Sequence, residues 1–187
     1  LCPNAKTGSY VVLTSTKHIA GSAFENCYKL TDISLPSGLQ STGSYAFSYC
    51  SCITGDLTLP EGFDKMGEGS FYHCDKLNGN INIPSTLTSW GNYCFLHCDN
   101  IASFSVNAAN PMYASSNGSV YSKNMDSLFI CPPAYTGNYT IPASVRLIGS
   151  HAFYNCSKIT GILQIPALVE YIGYYAFYGC KQLTGFD

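Results

Sequence analysis

Two triplets, His73-Cys74-Asp75 and His97-Cys98-Asp99, stand 24 residues apart and carry the side chains used in zinc sites and in Cys–His nucleophile pairs. Either chemistry needs imidazole and thiolate to converge on one atom. If both cysteines face a core, the histidines one residue earlier face away from it, and the groups diverge. The matching dipeptides Asn26-Cys27, Tyr49-Cys50, Asn155-Cys156 and Gly179-Cys180 make the residue before the cysteine a variable surface position. Glu61, Asp64 and Glu68 form the one local carboxylate cluster, with Lys65 among them. They lie across a turn and read as a solvated loop, not as an acid and base whose pKa values are driven apart. His18 and His151 fall in corners of different units, and no glycine-rich loop could cradle a phosphate. These residues predict no enzyme, no metal and no cofactor.

What positions these side chains is a repeat. Phe-x-x-Cys occurs at Phe24/Cys27, Phe47/Cys50, Phe71/Cys74, Phe95/Cys98, Phe153/Cys156 and Phe177/Cys180, with steps of 23, 24, 24, 58 and 24 residues. An apolar-x-apolar-Pro element keeps the same phase at Ile33-Leu35-Pro36, Leu57-Leu59-Pro60, Ile81-Ile83-Pro84 and Ile165-Pro166, with a related Tyr139-Thr140-Ile141-Pro142. Alternation of apolar residues has the period of a strand, and the proline ends its ladder. The glycine before Phe-x-x-Cys marks a tight corner. A unit this short cannot bury its own apolar face, so the units must stack into a solenoid with short parallel strands on one side.

Composition removes other functions. The 187 residues carry 9 Lys+Arg and 11 Asp+Glu, a net charge of −2, which supplies no field for nucleic acid. No run of 18 apolar residues exists, so no membrane insertion is expected in this segment.

The long step contains an insertion, residues 107–134, in which Ser119-Val120-Tyr121 and Leu128-Phe129-Ile130-Cys131 flank Lys123-Asn124-Met125-Asp126 and predict a hairpin. Leu1-Cys2-Pro3, Ala5, Thr7-Gly8, Tyr10 and Ile19 match Ile130-Cys131-Pro132, Ala134, Thr136-Gly137, Tyr139 and Ile148 at an offset of 129. The chain therefore reads as one domain, 1–187, cut from a longer array at both ends.

The unit Ile-Gly-x-x-Ala-Phe-x-x-Cys-x-x-Leu with Ile-x-Ile-Pro resembles the BspA-like leucine-rich repeats of bacterial and protist cell-surface proteins. Asn110-Pro111-Met112-Tyr113, Gly118-Ser119-Val120-Tyr121 and Cys131-Pro132-Pro133 resemble an element recurring in that family. Ala20, Cys94 and Val106-Asn107 depart from the pattern. The resemblance implies a mainly β, right-handed leucine-rich-repeat superhelix with one hairpin insertion. It also implies an extracellular or cell-surface location and a non-catalytic role in adhesion to a host, matrix or cell protein. A surface glycan is the alternative partner, and a structural spacer the alternative role.

Ten cysteines in a protein resembling secreted ones could form a disulfide framework. Six of them recur at one repeat position, which suits a stacked column of free, buried thiols instead. Cys2 and Cys131 receive the same reading, and Cys52 and Cys94 are off-pattern small residues. The variable positions are rich in Tyr, Ser, Asn, Gly and Thr, a composition that binding surfaces use. One outward residue per strand, Ser34, Thr58, Asn82, Ser105, Thr140 and Gln164, together with Asp32, Asp56, Asn80, Ser103 and Asn138, is predicted to form a continuous polar stripe that binds the ligand. A Tyr-rich corner surface competes with it, and a glycan on the Asn138 sequon would argue against binding there.

Overall fold

The computed structural model describes residues 7–187; Leu1, Cys2, Pro3 and Ala5, which match the end of the insertion, lie outside them. The chain winds as a solenoid of short parallel strands, with no helix among the described residues. Its rungs are numbered here one to six by Phe24, Phe47, Phe71, Phe95, Phe153 and Phe177.

One side carries the strands foreseen from the apolar alternation. Leu57, Ile81 and Phe104 pair in register and are buried, while Thr58, Asn82 and Ser105 pair in register on the outer face. The column is not continuous. It consists of Gly8–Val11 with Leu30–Ser34, then Leu57–Thr58, Asn80–Ile83 and Ser103–Val106, then Gly161–Leu163 with Leu183–Phe186.

A second side also carries strands, which corrects the expectation of strands on one side. His18–Ile19, Ser41–Thr42, Lys65–Met66 and Ser89–Trp90 form a four-stranded parallel sheet. After the insertion the column resumes with Leu147–Ile148 and Tyr171–Ile172. Next to it stand the glycines, and their reason also differs from the one expected. Gly43, Gly67, Gly91 and Gly173 do not have positive φ. A Cβ on Gly67 would instead lie 2.3 Å from the Gly43 carbonyl carbon, and one on Gly173 2.3 Å from the Ser150 nitrogen. Adjacent rungs touch backbone to backbone there, and only glycine leaves room.

The third side is a corner in which backbone hydrogen bonds run from rung to rung. Phe24 N–H donates to Ala46 O at 2.8 Å, Phe47 N–H to Ser70 O at 2.7 Å and Phe71 N–H to Cys94 O at 2.9 Å. Around Phe24, Phe47, Phe71 and Phe153 the residues two before and two after donate along the stack in the same way, as Tyr45 does to Glu68 O and Tyr49 to Tyr72 O, both at 2.7 Å. To aim all three N–H groups forward these flanking residues adopt positive φ, among them Tyr45 (58°), Tyr49 (57°), His73 (56°) and Asn155 (55°). Each such residue costs about 1 kcal/mol over an ordinary conformation, which the ladder must offset. The position read as freely variable is therefore constrained in backbone and free only in side chain.

Beneath the corner the phenylalanine rings stack, with centroids 5.0, 5.1 and 5.5 Å apart from Phe24 through Phe95 and 5.2 Å apart between Phe153 and Phe177. Between these runs lies the insertion. Its predicted hairpin is present as Ser119–Ser122 against Ser127–Ile130, antiparallel. A further strand, Tyr113–Ser116, pairs with Ser119–Ser122 across an Asn117-Gly118 turn whose residues both have positive φ, 49° and 72°. Asn-Gly between two such segments is a strong hairpin signal. Buried Asn110 fastens the insertion: its Nδ2 donates to Pro84 O (2.8 Å) and Leu87 O (2.9 Å), and its Oδ1 accepts from Met112 and Tyr113 N–H, both at 2.9 Å.

Candidate recognition surface

The thiols of the repeat are packing groups with a directed hydrogen bond. Cys50 Sγ donates to Phe24 O at 3.1 Å, Cys74 to Phe47 O at 3.3 Å, Cys98 to Phe71 O at 3.0 Å and Cys180 to Phe153 O at 3.1 Å. Burial pushes the Cys50 thiol up to about 12 and Cys180 to about 11, so neither is a thiolate near neutral pH. Off-pattern Cys94 takes the place of the small residue before the phenylalanine and donates to Gly67 O (3.1 Å) and Gly91 O (3.0 Å). Ser70 does the same one rung earlier, to Gly67 O and Gly43 O. One expectation fails: Cys27 is disulfide-bonded, whereas Cys50, Cys74, Cys98, Cys156 and Cys180 are free. Rung one is thus tied covalently where its successors rely on packing and a thiol hydrogen bond.

His73 and His97 turn away from these thiols, as the divergence argument required. Their rings stack 4.1 Å apart, and Tyr49 continues the column at 4.7 Å from His73. Burial, and then the neighbouring His73, lower the His97 pKa below the ordinary histidine value of 6.5. His73 Nδ1 lies 3.1 Å from Asp75 Oδ1. His18 is engaged elsewhere, 2.8 Å from Ser41 Oγ. His151, in the corner of a different unit, meets Tyr93 edge to face across the insertion at 5.3 Å.

The carboxylates serve separate local roles. Glu61 accepts from Ser85 Oγ (2.7 Å), Ser85 N–H (3.2 Å) and Asn107 Nδ2 (3.0 Å), and the bonds to Ser85 hold its carboxyl below the usual range. Glu68 accepts from Tyr45 Oη at 3.0 Å, which raises the tyrosine's pKa.

The polar stripe is brought together only in part. Its central residues form one patch: Asn82 Nδ2 donates to Thr58 Oγ1 (3.1 Å), Ser103 Oγ to Asn80 Oδ1 (2.5 Å) and Asn80 N–H to Asp56 Oδ1 (2.7 Å). Thr58, Asn82 and Ser105 open onto a shallow depression of about 290 Å³ bounded by Glu61, Pro84 and Asn107. Asp32 and Ser34 belong to a separate sheet. Asn138, Thr140 and Gln164 lie beyond the insertion, which closes the central sheet where Phe104 N–H donates to Gly118 O at 2.8 Å and Val106 N–H to Ser115 Oγ at 3.0 Å. There Asn138 Oδ1 accepts from Thr160 Oγ1 (3.1 Å), and Gln164 Nε2 donates to Asp187 Oδ2 (3.2 Å). The stripe is interrupted because the insertion occupies the place of a rung, which residue spacing alone does not reveal.

Among the described residues no helix is long and apolar enough to cross a membrane. No curated protein matches the chain significantly. Solved structures do. The pneumococcal vaccine antigen PcpA superposes with a TM-score of 0.75 at 20% identity, over 96% of this chain and 50% of its own. A leucine-rich repeat protein of Eubacterium ventriosum gives 0.69 at 22% identity, over 96% and 59%. A leucine-rich cell surface protein of Faecalibacterium prausnitzii gives 0.63 at 22% identity, over 97% and 60%. The chain thus spans little more than half the length of these proteins, and the likeness establishes the fold. The family model described as the BspA type leucine rich repeat region matches in six copies over residues 4–116 and 135–187. With the phenylalanine stack, the thiol ladder and the two strand columns now assigned to that repeat, the chain belongs to the BspA type leucine-rich repeat family.

Proposed function

We propose that this chain is a non-catalytic recognition module of a cell-surface protein, binding a protein ligand through its strand face. The observation that carries the reading is the central patch, in which Asp56, Thr58, Asn80, Asn82, Ser103 and Ser105 are held in register by bonds to one another. Side chains fixed in this way lose little entropy on binding, and neutral hydrogen-bonding groups are cheap to desolvate. Asp32 and Ser34 on one flank, and Asn138, Thr140 and Gln164 beyond the insertion, extend the surface as separate contacts. The surface location rests on the family and on relatives described as a vaccine antigen and a cell surface protein.

The test is an unbiased screen of the chain against extracellular-matrix and cell-surface proteins, followed by the double variant Asn80→Ala/Asn82→Ala. The expected result is a bound protein whose affinity falls at least about tenfold in the variant while its thermal midpoint is retained. Unchanged affinity moves the site to the Tyr-rich corner, and no binding in any screen supports a spacer role.

A further inference from the structure

The corner ladder fails at one place. In rungs one, two, three and five the phenylalanine and the residues two before and two after it donate their N–H groups to the next rung, nine of these twelve bonds being those of Ser22, Phe24, Asn26, Tyr45, Phe47, Tyr49, His151, Phe153 and Asn155. In rung four the corresponding N–H groups, of Tyr93, Phe95 and His97, have no hydrogen-bond partner among the described residues. The carbonyls that would receive them belong to Ser150, Ala152 and Tyr154 of rung five. Among the described residues only Ala152 O of these is used, by Cys131 N–H of the returning insertion at 2.7 Å. Cys131 is followed by Pro132 and Pro133, which have no N–H to offer, so the insertion fills the place of the missing rung while meeting one rung-five carbonyl and none of the three rung-four N–H groups.

A cleft of about 400 Å³ remains there, a size typical of small-ligand sites, with Tyr93, Phe95 and His97 on one wall and Ser150 and Tyr154 on the other. Aromatic rings meet across it, Tyr93 with His151 and His97 with Tyr154, each pair at 5.3 Å, and Trp90 contributes to the lining. The walls differ in polarity. The rung-four backbone offers N–H donors only, because the Asn92, Cys94 and Leu96 carbonyls point back and accept from rung three, while the Asp99 carboxylate already accepts from Asn155 Nδ2 at 3.0 and 3.1 Å. Rung five offers carbonyl acceptors.

This arrangement selects among ligands. An extended peptide presents N–H and C=O in equal number along each edge, so it would set donors against the donor wall. An anion would suit the N–H row, but it would face the rung-five carbonyls and the Asp99 carboxylate. No lysine or arginine among the described residues lines the cleft to balance it. A hydroxyl group both accepts and donates, and a sugar ring offers a row of them beside an apolar C–H face that packs on aromatic rings.

We propose that this cleft binds a neutral saccharide, whose hydroxyls accept from the Tyr93, Phe95 and His97 N–H groups and donate to Ser150 and Tyr154 O. It is separate from the strand-face patch, so either site can fail without the other.

The test is an amide NMR titration of the chain with glucose, galactose, mannose, N-acetylglucosamine, lactose, cellobiose and chitobiose, and with inorganic phosphate as the anionic probe. At least one sugar should shift the Tyr93, Phe95 and His97 amides saturably, while phosphate does not. Tyr154→Ala should weaken that sugar by about five- to tenfold, and Tyr171→Ala, on the second strand column and outside the cleft lining, should leave it unchanged. Amide assignments that match the parent in the rest of the solenoid show that the variants fold. The proposal is overturned if no sugar moves the three amides, if phosphate moves them instead, or if Tyr154→Ala and Tyr171→Ala weaken the sugar equally.

Discussion

The thiol of Cys74 donates to the carbonyl of Phe47, 3.3 Å away on the preceding rung, and that carbonyl also accepts the Cys50 N–H at 3.2 Å. The second lone pair of a buried carbonyl is thereby satisfied by a side chain no bulkier than a small hydrophobe, which is why cysteine recurs there. Alkylation followed by intact mass reads this state. Denatured without reduction, the described cysteines should take up eight labels, with Cys27 reacting only after reduction. Labelling of the folded chain at pH 8 should be confined to Cys52 and, more slowly, Cys180, because the others are buried. Fast labelling of Cys74 in the folded chain contradicts the thiol column.

The phenylalanine column carries the core from rung to rung. Phe71 is fully buried, with rings stacked on both sides, so Phe71→Ala leaves a cavity that neither neighbour can close. Equilibrium denaturation should show a loss of about 3–5 kcal/mol. A loss under about 1 kcal/mol contradicts the assigned core.

Gly67→Ala tests whether close approach, not backbone conformation, explains the glycine column. The added methyl would press on the Gly43 backbone at 2.3 Å, whereas at Gly38 the nearest atom is Thr14 O at 3.9 Å. Thermal denaturation should show Gly67→Ala destabilised by about 1–3 kcal/mol or more and Gly38→Ala neutral or slightly stabilised. Equal effects contradict the reading.

The phase of the rungs was legible in the sequence, because Phe71, Cys74 and Ile81 each face inward and recur with them. The second strand column was not. Ser41–Thr42 and Lys65–Met66 are too short and mixed to show alternation, and they are strands only because the stack aligns them. The positive φ of Tyr49 and His73 was hidden for a similar reason: the preference of tyrosine and histidine is overruled by the bonds between rungs. The outward residues Thr58, Asn82 and Ser105 were legible from alternation. Their separation from Thr140 and Gln164 depends on how the insertion docks, which no local pattern encodes.

Asn110 holds that docking through two donated and two accepted hydrogen bonds while fully buried. Asn110→Ala orphans the groups it serves and should cost about 3 kcal/mol in denaturant unfolding. Asn110→Asp sets a carboxylate oxygen against the Pro84 and Leu87 carbonyls and should cost more. An aspartate variant as stable as the parent contradicts the assigned role.

The insertion interrupts a ladder of backbone hydrogen bonds and leaves the rung-four edge open. Amide hydrogen exchange measured residue by residue by NMR reads that ladder directly. Phe47, Phe71 and Phe153, whose N–H groups are bonded at 2.7 to 2.9 Å, should be strongly protected, and Phe95 should exchange at least about a hundredfold faster despite an equally buried ring. Protection of Phe95 equal to that of Phe71 would mean that the ladder runs unbroken, and would contradict the account.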